Sequence, residues 1–186
     1  MSSKISIFAT FILLGWCNPA TGLSIKNTEQ SIWQEYRIKA EFLYNILKFV
    51  SWPGEEDLNT DDWRIGVIAD EEVVRIINDS LEQKRVEGRN IAVSAVEAAE
   101  DKTDYHVLFI AGNYMQASKN LIQELREDPV LVVGEVDNFA SEFGIIGFVQ
   151  RDDTLRLEIN SLRAQNAGLT INYKLASLGS LVDDQS

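Results

Sequence analysis

Few side chains of this 186-residue sequence have the types and spacing that catalysis requires. His106 is the only histidine, and Cys17 is the only cysteine. A Ser-His-Asp triad would have to use His106, and no G-x-S-x-G motif is present. One histidine with scattered carboxylates cannot complete a zinc site. No G-x-G-x-x-G or P-loop follows a predicted strand. The sequence therefore predicts no enzyme, no metal and no cofactor.

Three further positions could carry chemistry, and a structural role is favoured at each. His106 lies in the apolar run 105–110, where a hydrogen-bonded core histidine is favoured over a catalytic base. The turn 111–113 lies between a predicted strand and helix, where α/β folds bind ligands, but a single glycine is more typical of a helix start. Lys39 lies in the apolar arc of the first predicted helix. Either its stem covers apolar surface, or it pairs with Glu35 or with a carboxylate from elsewhere in the fold.

Residues 1–22 have the layout of a secretory signal peptide. Lys4 supplies a positive start, residues 5–16 form an apolar run, and small residues precede Gly22. The run is shorter than the ~20 apolar residues that span a bilayer. We expect cleavage near Gly22 and an exported mature domain of residues 23–186. A retained N-terminal anchor is the alternative.

Charge and cysteine content limit the possible partners. Cleavage removes one cation, Lys4, and no carboxylate, so the net charge changes from −12 to −13. A strongly acidic chain repels phosphate backbones, which argues against nucleic-acid binding. Cleavage also removes Cys17, so the mature chain needs no disulfide in an oxidising compartment. A domain of this size can bury about 70% of its unfolded surface and is stabilised by its core.

Segments with the apolar period of a helix alternate along the chain with segments typical of a strand, and this order predicts an α/β fold. The first helix, residues 31–50, has two adjacent apolar stripes, which contain Tyr36, Ala40, Leu43, Leu47 and Val50, and Ile38, Phe42, Ile46 and Phe49. Because this arc is wide, we expect the helix to lie between a sheet and another helix, and Pro53 to end it. The predicted strands are 63–68, 91–96, 105–110, 130–133, 145–149 and 155–159. The other predicted helices are 71–83, with Asp70 as N-cap, 114–126, 161–166 and 171–179.

This order of elements predicts one three-layer, Rossmann-like domain. Single helices between strands favour a mixed, mostly parallel sheet with helices on both faces. The last two strands follow each other across residues 150–154 and predict a C-terminal hairpin as an antiparallel edge. No internal repeat or linker divides the chain.

A set of short motifs, in order along residues 36–179, resembles the YfiR family. They are Lys39-Ala40, Phe42-Leu43-Tyr44, Lys48-Phe49-Val50, Trp52-Pro53, Val86, Gly88-Arg89, Val130-Leu131-Val132, Phe139, Gly144-Ile145-Ile146, Glu158-Ile159-Asn160, Ala164, Ala167-Gly168-Leu169 and Leu175. The sequence departs from the family pattern at Phe143, where members usually have the first of two glycines. It also has no cysteine in the mature chain, so redox control of this copy is not expected.

The resemblance implies a periplasmic, non-enzymatic repressor. Such a protein binds the periplasmic domain of an inner-membrane diguanylate cyclase and keeps cyclic-di-GMP low, and an outer-membrane-associated lipoprotein sequesters it. A homodimer is left open. Within that picture we predict Phe143 and Ile146 as partner contacts, the alternative being that the phenylalanines of segment 139–148 cap the core. The rival functions are a periplasmic small-molecule sensor that uses turn 111–113 and an unrecognised hydrolase.

Overall fold

The computed structural model describes residues 20–54, 62–96, 105–152 and 154–184, with side chains from residue 30 onward. Nearly all of the predicted signal peptide, residues 1–22, lies outside the described residues, and its cleavage stays a prediction. Most of the acidic loop after Pro53 also lies outside them. Within the described part of the chain, no helix is both long and apolar enough to cross a membrane.

Helices and strands alternate, as the sequence predicts. The described α-helices are α1 (Ala20–Phe49), α2 (Glu71–Leu81), α3 (Met115–Glu124), α4 (Phe139–Glu142), α5 (Ser161–Asn166) and α6 (Tyr173–Ala176). The described strands are β1 (Val50–Ser51), β2 (Trp63–Ile68), β3 (Arg85–Val86), β4 (Arg89–Ala95), β5 (Val107–Ile110), β6 (Leu131–Gly134), β7 (Ile146–Arg151), β8 (Thr154–Ile159), β9 (Thr170–Ile171) and β10 (Gly179–Leu181). Short 3₁₀ turns, Gly112–Tyr114 and Leu125–Glu127, precede and follow α3.

Eight of the described strands form one sheet in the order β10-β8-β7-β6-β5-β2-β4-β3. The pairs from β4 through β2, β5 and β6 to β7 are parallel, whereas the β7–β8 and β3–β4 hairpins are antiparallel. The predicted mixed, mostly parallel sheet is therefore confirmed. The C-terminal hairpin, however, does not form the edge, because β10 pairs in parallel with β8 and covers it.

Helices cover both faces of the sheet and give the predicted three layers. On β5, Val107 and Phe109 pack in the core cluster that contains α1 and α2, whereas Leu108 and Ile110 pack in the cluster that contains α3. Successive strand side chains point to opposite faces, so a strand buried on both faces has a continuous apolar run. This explains the sequence of residues 107–110.

Helix α1 crosses one face of the sheet and packs against α2. Leu43 and Ile46 are fully buried, as the two apolar stripes predict. Ile38 is 42% exposed, so the predicted second stripe is wrong at its N-terminal end. The predicted last helix is also too long, because α6 has four residues and lies between strands β9 and β10.

Candidate functional site

The carboxyl ends of β2, β5 and β6 meet at the position where α/β folds commonly bind ligands. Glu135, which directly follows β6, fills this crevice with its carboxylate. Its Oε1 accepts hydrogen bonds from the Gly112 backbone N–H at 2.8 Å and from the Tyr36 hydroxyl at 3.0 Å. Its Oε2 lies 2.5 Å from Lys39 Nζ. A carboxylate of the protein therefore takes the place that a bound anion would occupy at the first turn before α3.

Lys39 is at the centre of this polar cluster and is only 2% exposed. It also pairs with Glu35, one turn earlier on α1, and its Nζ lies 4.5 Å from the centroid of the Tyr36 ring. The predicted ion pairing is therefore confirmed, both with Glu35 and with a carboxylate from elsewhere in the fold, Glu135. The alternative of a stem lying along the surface is wrong, because the charged end itself is buried. A buried ammonium group needs such partners, since an unpaired buried charge is costly.

Burial raises the pKa of the Tyr36 hydroxyl, and the adjacent Glu135 carboxylate raises it further. Both effects disfavour the phenolate, so the hydroxyl remains a hydrogen-bond donor at neutral pH. Nearby, the Tyr114 hydroxyl donates to Asp70 Oδ1 at 2.8 Å. Asp70 occupies the predicted N-cap position of α2, but its side chain makes no cap hydrogen bond. These groups fasten α1 and α3 to the end of the sheet.

His106 lies at the opposite, amino-terminal end of β5 and is 8% exposed. Its Nδ1 accepts a hydrogen bond from the Arg64 backbone N–H at 3.1 Å. Its ring centroid lies 4.8 Å from that of Trp63 and 5.8 Å from that of Trp52. The Trp52 indole also donates to the His106 carbonyl at 3.2 Å. The prediction of a hydrogen-bonded core histidine is confirmed.

The phenylalanine-rich segment 139–148 enters the core more deeply than the sequence suggests. Phe139 is fully buried in α4, and its ring packs so closely on Gly134 and Gly144 that a Cβ at either position would clash. Ile146, the first residue of β7, is also fully buried. Because a fully buried side chain cannot touch a partner at the native surface, its position conflicts with the predicted partner contact. Phe143, which follows α4, is partly exposed, so a partner contact there stays a prediction.

A cleft of about 580 Å³ lies beside Phe143 and the C-terminal end of α3. Its apolar wall includes Ile122, Leu125, Val132 and Ile145, and its polar groups include Arg126, Glu127, Arg163, Asn166 and Asp184. Lys119 Nζ lies 5.4 Å from the centroid of the Phe143 ring. Apolar walls with a few polar groups are typical of binding sites. Of the two predicted contact residues, only Phe143 lines this cleft.

The C-terminal segment forms one side of the cleft through Asp184. Its Oδ1 accepts hydrogen bonds from Arg163 Nε at 2.5 Å and from Asn160 Nδ2 at 2.8 Å. The bond from Arg163 in particular holds the pKa of Asp184 below its usual range. Asn160 is fully buried, donates to the Ala140 carbonyl at 3.0 Å and caps α5 by accepting from the Arg163 backbone N–H. One buried amide thus joins α4, β8, α5 and the tail.

A family model described as YfiR/HmsC-like matches residues 36–180, most of the chain. The protein belongs to the YfiR/HmsC-like family. This confirms the resemblance that the ordered motifs indicate, and it supports a periplasmic regulatory role in diguanylate cyclase signalling. No curated protein matches the sequence at a significant level.

Several family residues of this YfiR/HmsC-like protein serve the fold. Trp52 packs on Trp63 and closes the amino-terminal end of the sheet. Asn160 is the buried amide described above. Gly168 follows Ala167, the C-cap of α5, and has a φ of +74°, a left-handed conformation that glycine adopts without strain. At these three positions the family residue has a structural role.

Two parts of the polar framework were missed in the sequence. Glu135 follows a buried strand directly, and a carboxylate in that position is a signal for the end of a parallel sheet. Asn160 stands between a strand and a helix, where an N-cap is expected. The position of Lys39 in the apolar arc predicts a carboxylate partner but does not identify it as Glu135, because the two residues are distant in sequence. Asp184, the partner of Asn160, carries no local signal.

Proposed function

We propose that this YfiR/HmsC-like protein binds the periplasmic domain of an inner-membrane diguanylate cyclase and represses it without catalysis, so that cyclic-di-GMP stays low. The family match over residues 36–180 carries this proposal. The signal-peptide pattern of residues 1–22 supports it, because the regulator must reach the periplasm to meet that domain.

Repression by binding requires a difference in affinity between two states of the cyclase. A ligand shifts a conformational equilibrium only to the extent that it binds one state more tightly than the other. Moving a receptor from almost fully active to almost fully inactive takes a preference of about 10⁴-fold. We infer that such a preference requires a binding surface of fixed shape. The buried hydrogen bonds of Glu135 and Asn160 connect helices to the sheet and so help to fix the shape of this domain.

Phe143 remains our proposed contact residue. It is partly exposed, it lines the cleft, and it lies beside the cation of Lys119. Aromatic side chains at the centre of an interface commonly contribute most of the binding free energy. Ile146 is fully buried in the core cluster that contains α1 and α2, so we do not propose it as a direct contact.

The rival function, a small-molecule sensor at turn 111–113, has less support. The Gly112 N–H that would hold an anion already donates to Glu135. Sequestration by an outer-membrane-associated lipoprotein stays a prediction from the family resemblance, and a homodimer stays open.

Binding can be tested with the protein purified from its native host. The partner is the full-length membrane diguanylate cyclase encoded in the same genome, held in nanodiscs. We expect saturable binding and a lower rate of cyclic-di-GMP synthesis as the protein is added. Synthesis that is independent of the added protein would contradict the proposal.

A further inference from the structure

Strand β4 is longer than the strand that covers its outer edge. β3 pairs only with Arg89 and Asn90, whereas β4 continues to Ala95. On the inner edge of β4, residues 91–95 pair in parallel with β2. Among the described strands, none pairs with residues 91–95 on the outer edge. About 16 Å of β4 is therefore open to a further strand.

The backbone groups of Val93 and Ala95 point to this open edge. Val96 donates its backbone N–H to the Val67 carbonyl of β2 at 2.9 Å. The backbone groups of successive strand residues point to alternate edges, so those of Ser94 also face β2 and those of its two neighbours face away from it. A sheet edge with unpaired N–H and C=O groups is a template for another extended chain.

The open part of β4 lacks the features that usually prevent such pairing. Natural edge strands are protected by charged side chains, proline, bulges or a very short length. Residues 91–95 read Ile-Ala-Val-Ser-Ala, without a charge or a proline, and their register with β2 is continuous. The edge strand at the other end of the described sheet, β10, has only three residues. The open edge of β4 is therefore the longer and less protected of the two.

A groove of about 890 Å³ lies along this edge, between β4 and α2. Val74 and Val93 form part of its lining, and both are half-buried against the core cluster that contains α1 and α2. Its charged groups are Glu71, Glu72 and Arg75, which are two carboxylates and one cation. In peptide recognition by strand addition, main-chain hydrogen bonds give affinity, and pockets for alternate side chains give specificity. The groove offers both kinds of contact.

We infer that β4 binds an extended, non-acidic segment of the cyclase, which adds to the sheet as a further strand and places alternate apolar side chains against Val74 and Val93. The inference rests on the proposed function. Unpaired backbone groups at a sheet edge select an extended segment, because a helix satisfies its own backbone groups. The net charge of −12 argues against a second copy, since strongly charged chains repel each other.

This contact is separate from the one proposed at Phe143. The cleft beside Phe143 includes Val132 of β6, and β2 and β5 lie between β6 and β4 in the sheet. The cyclase would therefore contact the protein at two places, one through side chains and one through the backbone.

The test uses the native protein and the full-length cyclase in nanodiscs, with two variants at Ala95, an exposed position. Ala95→Pro removes an outward N–H group that β2 does not use, and proline is tolerated at such an edge position. We expect an affinity about tenfold lower, which corresponds to the loss of one backbone hydrogen bond. Ala95→Ser keeps the N–H group and is the matched control, and we expect it to bind like the wild type.

Hydrogen exchange of single backbone amides in the wild type gives a second measurement, which decides the matter even if Ala95→Pro does not fold. When the cyclase is bound, exchange at Val93 and Ala95 should slow, because their N–H groups then donate to the added strand. Exchange at Ser94 should change less, because its N–H already donates to β2. This alternation distinguishes strand addition from a contact made by side chains.

The outcomes separate this inference from the proposed function. If the wild type binds the cyclase but exchange at Val93 and Ala95 is unchanged, or if a folded Ala95→Pro binds equally well, the inference is wrong and the proposed function stands. Equal weakening by Ala95→Pro and Ala95→Ser would mean that the side chain matters and not the backbone. Slower exchange at Val93 and Ala95 at high protein concentration without the cyclase would assign this edge to a second copy instead. If the wild type itself does not bind, both proposals fail.

Discussion

Lys39 Nζ on α1 lies 2.5 Å from Glu135 Oε2 at the end of β6, although 96 residues separate the two in the sequence. Both groups are largely buried, with the Lys39 side chain 3% and the Glu135 side chain 13% exposed. The same carboxylate also holds Tyr36 and Gly112. The crevice that would bind a ligand in a related architecture is therefore used here to fix α1 to the sheet.

The two carboxylates that pair with Lys39 should differ in their effect on stability. Glu135→Ala leaves a buried ammonium group with one exposed partner, and we expect the free energy of unfolding to fall by about 3 kcal/mol. Glu35→Ala removes the partner whose side chain is 52% exposed, and we expect a loss below about 1 kcal/mol. Urea unfolding of both variants checks this. Equal losses would show that Glu135 has no special role.

Tyr36 should make the protein sensitive to alkaline pH. The pKa of its hydroxyl is raised in the folded state above the ordinary value of 10.0, so the folded state favours the protonated phenol. This stabilisation is complete below about pH 10 and is lost as the pH rises towards the folded-state pKa. The stability difference between the wild type and Tyr36→Phe should therefore shrink above pH 10. Tyr44→Phe, on the same helix, serves as the control, and a difference for Tyr36→Phe that is constant with pH would contradict the cluster.

The glycines around Phe139 should not accept a methyl group. A Cβ at Gly144 would overlap the Phe139 ring, and we expect Gly144→Ala to lower the free energy of unfolding by about 1–3 kcal/mol through overpacking. A Cβ added at Gly112 would lie 3.6 Å from its nearest neighbour, Glu135 Oε1, which is an ordinary contact. Gly112→Ala should therefore cost less than about 1 kcal/mol. Thermal unfolding measures both. A Gly144→Ala variant that melts like the wild type would mean that the ring can move aside.

Export should leave a mature protein that begins near Leu23. This prediction rests on the positively charged start of the chain, the short apolar run and the small residues before Gly22. Mass spectrometry of the protein from the periplasm of its native host gives the N-terminus directly. An intact chain that begins at Met1 and stays in the cytoplasm would contradict both export and a periplasmic partner.

Elements whose burial follows a local period could be predicted from the sequence. The strand Trp63–Ile68 matches its predicted bounds, and α2, within the predicted helix 71–83, buries one apolar stripe, which contains Val73, Ile76, Ile77 and Leu81. Here the apolar pattern alone decides which face packs. The short last helix was less predictable, because the pairing of β9 with β1 and of β10 with β8 replaces helical turns at both of its ends.

The candidate site was less accessible to sequence reasoning than the fold. Ile38 is exposed although its neighbours Lys39 and Ala40 are buried, so the packed face of α1 is narrower there than the apolar pattern indicates. Ile146 was predicted as a partner contact, but it is the first residue of β7 and fully buried, since the chain enters the sheet directly after Gly144 and Ile145. The cleft itself brings together α3, the Phe143 turn, α5 and the tail, which are distant in sequence.

The intracellular concentration of cyclic-di-GMP, measured with and without this protein, tests the proposed repression most directly. Deletion in the native host should raise cyclic-di-GMP and surface attachment, and the wild-type chain supplied in trans should restore both. His106→Ala should restore them as well if it folds, because the ring of His106 is buried and makes contacts within the core. An unchanged concentration of cyclic-di-GMP after deletion would contradict the assignment as a repressor.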